Sequence, residues 1–126
     1  MPRNLDGHLI SISRIRTRGA TEISCVRFRG GVREPTESEF RSRLAEAGRR
    51  ASYLVVDLSE LEYLSSAGLG LLLDQFGVQE GRGGWLRLVA PSSTVSMILD
   101  LAGTGATLSS FPSEDDAIRD LPGLAA

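Results

Sequence analysis

The fold is decided by the stretch YLVVDLSELEYLSSAGLGLLL, residues 53–73. It opens with an apolar, β-branched run that ends at Asp57, and such runs are typical of a central strand covered on both faces. After two serines, apolar side chains recur with helical spacing at Leu69, Leu72, Leu73 and Phe76, and two glycines flank the first of them. The stretch therefore predicts a buried strand over residues 53–58 and an amphipathic helix after it, with small and hydroxyl-bearing residues at the junction.

The rest of the chain continues the alternation of strands and helices. Apolar alternation predicts strands over residues 8–17 and 22–29, the second ended by the two glycines at 30–31. A capping box over residues 36–39 predicts the start of the first helix. The other predicted elements are a strand over 85–90, a helix opened by residues 91–93, a short strand over 107–109 and a helix opened by residues 112–113. This order predicts one α/β domain over residues 1–126, with a mixed, mostly parallel sheet of four to five strands flanked by about four helices.

Composition and charge narrow the classes of function. Of the 126 residues, 41% are apolar and 24% are charged, which is ordinary for a globular domain. A net charge of −2 gives no overall attraction for nucleic acid or an anionic membrane, and no apolar run approaches the ~18 residues of a membrane span. The single cysteine, Cys25, excludes an internal disulfide and a cysteine-built metal cluster, and the first residues contain no secretory apolar region. We therefore expect a cytoplasmic protein without a metal or cofactor.

The serines and glycines at the junction allow several interpretations. Ser65 and Ser66 are of a residue type preferred as helix N-caps, so plain capping explains a serine. Capping does not explain Gly68 and Gly70, each of which weakens a helix by about 1 kcal/mol relative to alanine. We therefore expect a neighbouring strand or a partner to approach this backbone closely. A phosphate-binding nucleotide loop needs a third glycine or a following lysine, and the chain contains no lysine.

Nucleophilic catalysis by Ser66 is another interpretation. It requires a base and an orienting acid, for which the chain offers its single histidine, His8, and Asp57. The nucleophile-elbow pattern G-x-S-x-G is not matched, because Leu64 stands where its first glycine should be. A serine-dependent hydrolase built from these three side chains is the alternative from a different class of function.

The remaining interpretation is recognition of a partner protein. Residues 56–73, VDLSELEYLSSAGLGLLL, resemble the signature of the anti-sigma factor antagonists of the STAS family, roughly D-L-S-x-(apolar)-x-(aromatic)-(apolar)-D-S-(S/T)-G-L-G. The matching residues are Asp57, Leu58, Ser59, Leu61, Tyr63, Leu64, Ser66, Gly68, Leu69 and Gly70. The resemblance extends over nearly the whole chain, and the family's order of elements is the order derived above.

This resemblance implies a partner switch that has no catalysis of its own. In such proteins an anti-sigma factor with serine-kinase activity phosphorylates the serine that follows the motif's aspartate, and only the unphosphorylated form binds that kinase and releases a sigma factor. By position the acceptor is Ser66, with Ser65 as the second choice, and a serine phosphatase is a further implied partner. The implied partner-binding residues are Arg33, Asp57, Ser65, Ser66, Ala67, Gly68 and Leu69.

The chain differs from the family pattern at three places. The motif's aspartate is Ser65, and the residue after the acceptor is Ala67, which removes a competing hydroxyl. The acidic turn after the family's second strand reads GGVR, so we expect Arg33 to meet acidic residues of the partner or to contact the phosphate itself. An alternative within the family is a STAS subunit that is never phosphorylated and serves as a scaffold in a stress-sensing or lipid-transport assembly.

Overall fold

A computed structural model describes residues 8–122, which contain five strands and four α-helices. In chain order the elements are β1 (Leu9–Arg18), β2 (Thr21–Val32), α1 (Glu37–Arg50), β3 (Tyr53–Leu64), α2 (Ser66–Gly81), β4 (Trp85–Val89), α3 (Ser93–Leu101), β5 (Ser110–Phe111) and α4 (Glu114–Ile118). The predicted α/β class and the predicted order of elements are confirmed. None of the helices in this part of the chain is long and apolar enough to cross a membrane.

The five strands form one mixed sheet in the order β1-β2-β3-β4-β5. The hairpin of β1 and β2 is antiparallel, and its turn is made by Gly19 in the left-handed region, with φ 61°. The pairs β2–β3, β3–β4 and β4–β5 are parallel, as helical crossovers between strands require. The carboxyl ends of β2 and β3 therefore lie side by side, and this edge carries the junction that the sequence singles out.

Two apolar layers cover the sheet. The larger core packs α1, α2 and α3 against one face, through residues such as Phe40, Leu72 and Val95. The smaller core lies beneath α4 on the opposite face and includes Val55 and Ile118. Because side chains alternate along a strand, successive residues of β3 serve the two cores in turn, as the sequence pattern of a strand covered on both faces predicts.

Strand β3 is longer than its sequence pattern predicts. It does not end near residue 58 but runs to Leu64, and only its first part, Tyr53 to Asp57, pairs with β4. The remainder pairs with β2 alone, across register irregularities that follow Arg27 and Gly30. Asp57 therefore lies inside the strand, and the prediction that it ends the strand is wrong. The sequence pattern hides this extension because residues 59–63 carry mostly polar side chains on a segment with one neighbouring strand.

Strand β2 also continues past its predicted end. Gly30 and Gly31 do not stop it, and the strand ends at Val32. Gly30 has φ +111°, and a side chain there would place its Cβ 2.5 Å from the carbonyl oxygen of His8, the residue directly before β1. The glycine at this position thus allows the hairpin to close, and the prediction that it ends the strand is wrong.

The start of α1 departs from the predicted capping box. Thr36 is the N-cap of α1, but its side chain makes no capping hydrogen bond to that helix. Its hydroxyl instead donates to the Gly31 carbonyl at 2.7 Å and accepts from the Arg33 amide at 3.1 Å. This hydroxyl therefore closes a short 3-10 turn, Glu34–Thr36, and ties the loop after β2 to the strand itself. The predicted short strand over 107–109 is likewise displaced and occupies Ser110–Phe111.

Candidate functional site

Helix α2 starts at the point where β2 and β3 end together. Val32 and Leu64 are register partners at the ends of their strands, and the Ser65 amide donates to the Val32 carbonyl at 2.9 Å. The chain turns there directly from strand to helix. The backbone around Ser65 is therefore anchored to the sheet on the carboxyl side of two parallel strands, where ligands and partners of α/β proteins commonly bind.

Ser65 is the N-cap of α2, and both hydrogen-bonding roles of its hydroxyl are occupied. The hydroxyl accepts from the Gly68 amide at 3.0 Å, as a capping side chain should. It donates to a carboxylate oxygen of Glu37, the first residue of α1, at 2.8 Å. The side chain is half-buried. Capping, the plainest explanation for a serine at this junction, is thus confirmed for Ser65.

Ser66 is the first residue of α2 and is exposed. Within residues 8–122 no hydrogen bond holds its hydroxyl, which stands at the positive end of the helix dipole. Ala67 beside it is exposed as well. A modifying enzyme can therefore reach the Ser66 oxygen without unfolding any element, whereas the oxygen of Ser65 lies between two protein groups.

The two glycines of the junction have different surroundings. A Cβ on Gly68 would lie 2.6 Å from Val32 Cγ1 and 2.8 Å from Leu64 Cδ1, whereas a Cβ on Gly70 would meet nothing within 4 Å. The expected close approach is therefore confirmed for Gly68, and the approaching groups are the ends of β2 and β3. Gly68 and its neighbour Leu69 are buried, so most of their surface is not available to a partner.

Arg33 follows β2 at the same edge of the sheet. Its guanidinium carbon lies 5.2 Å from the centroid of the Tyr63 ring, which is the range of a cation–π contact. The Tyr63 side chain is 41% exposed. The expected position of Arg33 near the end of the sheet that carries Ser66 thus agrees with the geometry.

Asp57 lies apart from this cluster. It is 6% exposed and points to the face that Val55 occupies, because residues two apart on a strand share a face. Its carboxylate accepts from the amide and the hydroxyl of Ser59, at 2.9 and 2.7 Å, and pairs with Arg27 at 3.2 Å. All of these contacts are internal, so the Asp57 carboxylate is not part of the exposed surface around Ser66.

The serine, histidine and aspartate of the hydrolase interpretation are not brought together. Asp57 lies seven residues before Leu64, the end of β3, and at about 3.3 Å per residue this is about 23 Å along the strand, on the opposite face. His8 is exposed beside the start of β1. Since the orienting acid cannot reach a base that would serve Ser66, this catalytic interpretation is wrong.

Cys25 lies in β2 within the smaller core and is 2% exposed. Burial raises the pKa of its thiol above the ordinary value, which disfavours the reactive thiolate. The prediction of an inert core thiol agrees with this environment.

Comparison with known proteins agrees with the signature at residues 56–73. The family model described as "STAS domain" matches residues 14–117. The chain belongs to the STAS family.

This STAS domain is similar to anti-sigma factor antagonists. The "Anti-sigma F factor antagonist" of Paenibacillus polymyxa is 26% identical over 98 residues, which are 76% of this chain and 84% of the relative. An anti-sigma factor antagonist from Mycobacterium paratuberculosis has a crystal structure with a TM-score of 0.78 and 22% identity, covering 90% of this chain and 93% of that one. SpoIIAA of Bacillus, solved unphosphorylated and phosphorylated, gives TM-scores of 0.66 and 0.59 at 20% identity, with coverage of 86% of this chain and 95% and 97% of SpoIIAA. The structural matches show a shared fold.

Glu37 belongs to the site, although no sequence pattern indicates it. The STAS signature has an aspartate at position 65, and this STAS domain has a serine there whose hydroxyl reaches the carboxylate of Glu37. A negative charge near the first turn of α2 is therefore retained, but it comes from α1. No local pattern links two residues 28 positions apart, so only the packing of α1 against α2 brings this pair together.

Restoring the signature aspartate should consequently destabilise this protein. In Ser65→Asp a second carboxylate would face Glu37 at hydrogen-bond distance, and we expect the free energy of unfolding at pH 7 to fall by about 1–2 kcal/mol. Urea unfolding of Ser65→Asp, Glu37→Gln and the double variant measures the coupling. Glu37→Gln should recover most of the loss, since an amide can donate to the new carboxylate. Equal losses for Ser65→Asp with and without Glu37→Gln would contradict a direct contact.

Proposed function

We propose that this STAS domain is an anti-sigma factor antagonist whose binding is controlled by phosphorylation of Ser66. With Ser66 unmodified, the domain binds an anti-sigma factor that has serine-kinase activity, and the sigma factor is released. With Ser66 phosphorylated, the anti-sigma factor no longer binds, and a serine phosphatase restores the first state. The proposal places the domain in the cytoplasm, without a cofactor or catalysis of its own.

The single observation that carries this proposal is the contrast between the two adjacent serines. Ser66 presents an exposed hydroxyl on the first residue of α2, whereas the hydroxyl of Ser65 is engaged by Gly68 and Glu37. The STAS signature assigns the acceptor role to the position of Ser66, so sequence register and accessibility agree on one oxygen. The name of the Paenibacillus relative and the phosphorylated state of SpoIIAA support the same function.

The energetics favour a switch that acts on docking. A phosphate adds about −1.5 to −2 charges, and a helix N-terminus gains roughly 0.3–1 kcal/mol from negative charge. The folded domain should therefore accept the modification with little rearrangement. In a partner interface the same dianion must lose water and can meet like charges, which costs several kcal/mol. Since the second effect is larger, phosphorylation would change what the domain binds and leave its fold intact.

The site of modification is the direct test. Incubation of the domain with ATP and the cognate kinase, meaning the anti-sigma factor kinase encoded nearest to it in its genome, should place one phosphate on Ser66. Tryptic mass spectrometry with fragmentation distinguishes Ser66 from Ser65. Ser66→Ala should take up no phosphate. Ser65→Ala should still be phosphorylated, although loss of its cap lowers stability by about 1 kcal/mol.

Two results would contradict this assignment. Phosphate found on Ser65 alone would shift the acceptor by one residue and would require the Ser65–Glu37 contact to open. No phosphate under conditions in which the kinase binds the domain would favour the scaffold alternative, in which Ser66 is never modified.

A further inference from the structure

Strand β1 forms one edge of the sheet. It is ten residues long, and within residues 8–122 its only neighbouring strand is β2. The opposite edge is different, because β5 has only two residues. Sheet edges are commonly kept short, or carry lysine or proline, which discourage pairing with the strand of another chain. The sequence of β1, LISISRIRTR, contains neither residue, so this edge lacks the usual protection against pairing.

The main chain of β1 presents hydrogen-bonding groups on its outer side. A two-residue turn joins β1 to β2, and the pair that flanks such a turn, Arg18 and Thr21, exchanges both of its main-chain hydrogen bonds. Hydrogen-bonded pairs alternate along an antiparallel ladder, so the even-numbered residues of β1 bond to β2. The amides and carbonyls of the odd-numbered residues therefore point away from the sheet and can pair with a further strand.

Isoleucine side chains project from both faces of this edge strand. Ile10 and Ile12 are 48% and 61% exposed on the face that carries α4, because that short helix covers only the end of β1 near the turn. Ile15 is 41% exposed on the other face, where Leu9 belongs to the larger core. Neither core includes any of the three isoleucines. The fold does not need them, and together with the free main chain they form an apolar surface for a partner strand.

The arginines of β1 do not guard this edge. Arg14 and Arg16 both pair with Glu114 at the start of α4. Arg18 donates to two main-chain carbonyl oxygens that follow α4. The three side chains are therefore held over the α4 face, and carboxylates neutralise the first two, so positive charge does not keep another strand away.

We propose that β1 pairs in antiparallel orientation with β1 of a second copy of the chain, about a two-fold axis at Ile12. A two-fold axis is the commonest symmetry of homodimers. The two sheets would join into one continuous sheet through residues 9–15 of each copy. The interface lies on the far side of β2 from β3, the strand that leads into Ser66, so that side chain would stay accessible in both copies. The proposal is therefore independent of the proposed function.

The sequence of β1 is complementary to itself in this register. An axis at Arg14 or Ile15 would set arginines opposite each other, which is unfavourable. An axis at Ile12 sets the most exposed isoleucine of the strand against its own copy. This is a non-hydrogen-bonded pair, whose Cα atoms lie about 4.5 Å apart and whose side chains are close. The remaining pairs across the axis are Leu9 with Ile15, Ile10 with Arg14, and Ser11 with Ser13.

Sedimentation velocity tests the interface. The wild-type domain should sediment with twice the mass of one chain at micromolar concentrations. Ile12→Lys should raise the dissociation constant of the dimer about a hundredfold, since the dimer would lose two buried isoleucines and gain two like charges that face each other. Met97→Lys is the matched control, because Met97 is 59% exposed but lies on α3. It should change the dissociation constant by less than about twofold.

Disulfide formation tests the register. Ile12→Cys should give a covalent dimer in a glutathione redox buffer, because a Cα distance of about 4.5 Å lies within the range of a disulfide. Ile15→Cys is the control. In the proposed register its two copies would lie about 20 Å apart along the paired strands, so no covalent dimer should form. The wild type should form none either, since Cys25 is buried.

Three results would overturn the proposal. The first is a wild-type domain that remains monomeric, whether or not Ser66 is phosphorylated and the kinase binds. The second is a dimer that Ile12→Lys leaves intact, which would place the interface elsewhere. The third is cross-linking of Ile15→Cys as fast as that of Ile12→Cys, which would indicate random collision. In a monomeric wild type, loss of kinase binding by Ile12→Lys would assign the edge to the kinase instead.

Discussion

Replacing Ser66 with aspartate is expected to weaken binding of the cognate kinase by about a hundredfold while the circular dichroism spectrum stays native. The reason is the position of the side chain. Ser66 is the exposed first residue of α2, where the helix dipole tolerates a carboxylate, and it lines an open groove between the first turn of α2 and the last turn of α3. A charge introduced there should change the stability of the fold little. It should weaken binding strongly, because a partner that covers it must strip its water. Titration calorimetry measures the affinity, and Ser66→Ala should bind constitutively, even after incubation with ATP.

Ser93→Asp is the matched control for this experiment. Ser93 is also exposed, is also the first residue of its helix, and also follows a serine N-cap whose hydroxyl accepts a backbone amide. It starts α3, whereas the groove is bordered by the last turn of that helix. The same added charge should therefore leave kinase affinity within about twofold of the wild type. Equal binding by Ser66→Asp and Ser66→Ala would refute control by charge at this position.

Alanine at Gly68 and alanine at Gly70 should have opposite effects on stability. The new methyl group at position 68 would lie 2.6 Å from Val32 and 2.8 Å from Leu64, both fully packed, whereas the one at position 70 would meet nothing within 4 Å. Overpacking of a core costs about 1–3 kcal/mol, and exchanging glycine for alanine in a helix gains up to about 1 kcal/mol. We expect Gly70→Ala to be more stable than the wild type and Gly68→Ala to be less stable, with a difference of about 2 kcal/mol between the two variants.

Urea unfolding with a common slope measures this difference. Each variant is the control for the other, because both exchange glycine for alanine in the first turns of one helix and so change the helix propensity equally. Gly68→Ala should also reduce kinase binding, since a shift of α2 away from β2 and β3 would move Ser66 with it. A Gly68→Ala variant as stable as Gly70→Ala would show that Val32 and Leu64 yield to the methyl group without cost.

The order of elements and the position of Ser66 at the start of a helix were predictable because both depend on local patterns. Helical spacing identifies α2, serine is a preferred cap, and the signature at residues 56–73 places Ser66 directly after the N-cap. The burial of a cysteine in an alternating strand is a pattern of the same kind. In each case the information lies within a few residues of the feature.

The contacts that complete the site were not predictable from the sequence, because they join distant segments. Glu37 reaches Ser65 only when α1 packs beside α2, and Arg33 finds Tyr63 only when β2 and β3 end in register. The predicted end of β3 at Asp57 is wrong because the local pattern there is misleading. Its local pattern resembles the end of a strand, but pairing with β2 carries the strand on to Leu64. Tertiary pairing overrode the local signal there.

The division of tasks between the two serines has a consequence for how the domain would work over time. The Ser65 side chain caps α2 and joins it to α1, and the neighbouring Ser66 hydroxyl is exposed to solvent. A domain built this way could be phosphorylated and dephosphorylated repeatedly, because neither step would break a hydrogen bond that holds the fold. The two states would differ in the charge at the surface, while the fold stays the same through every cycle.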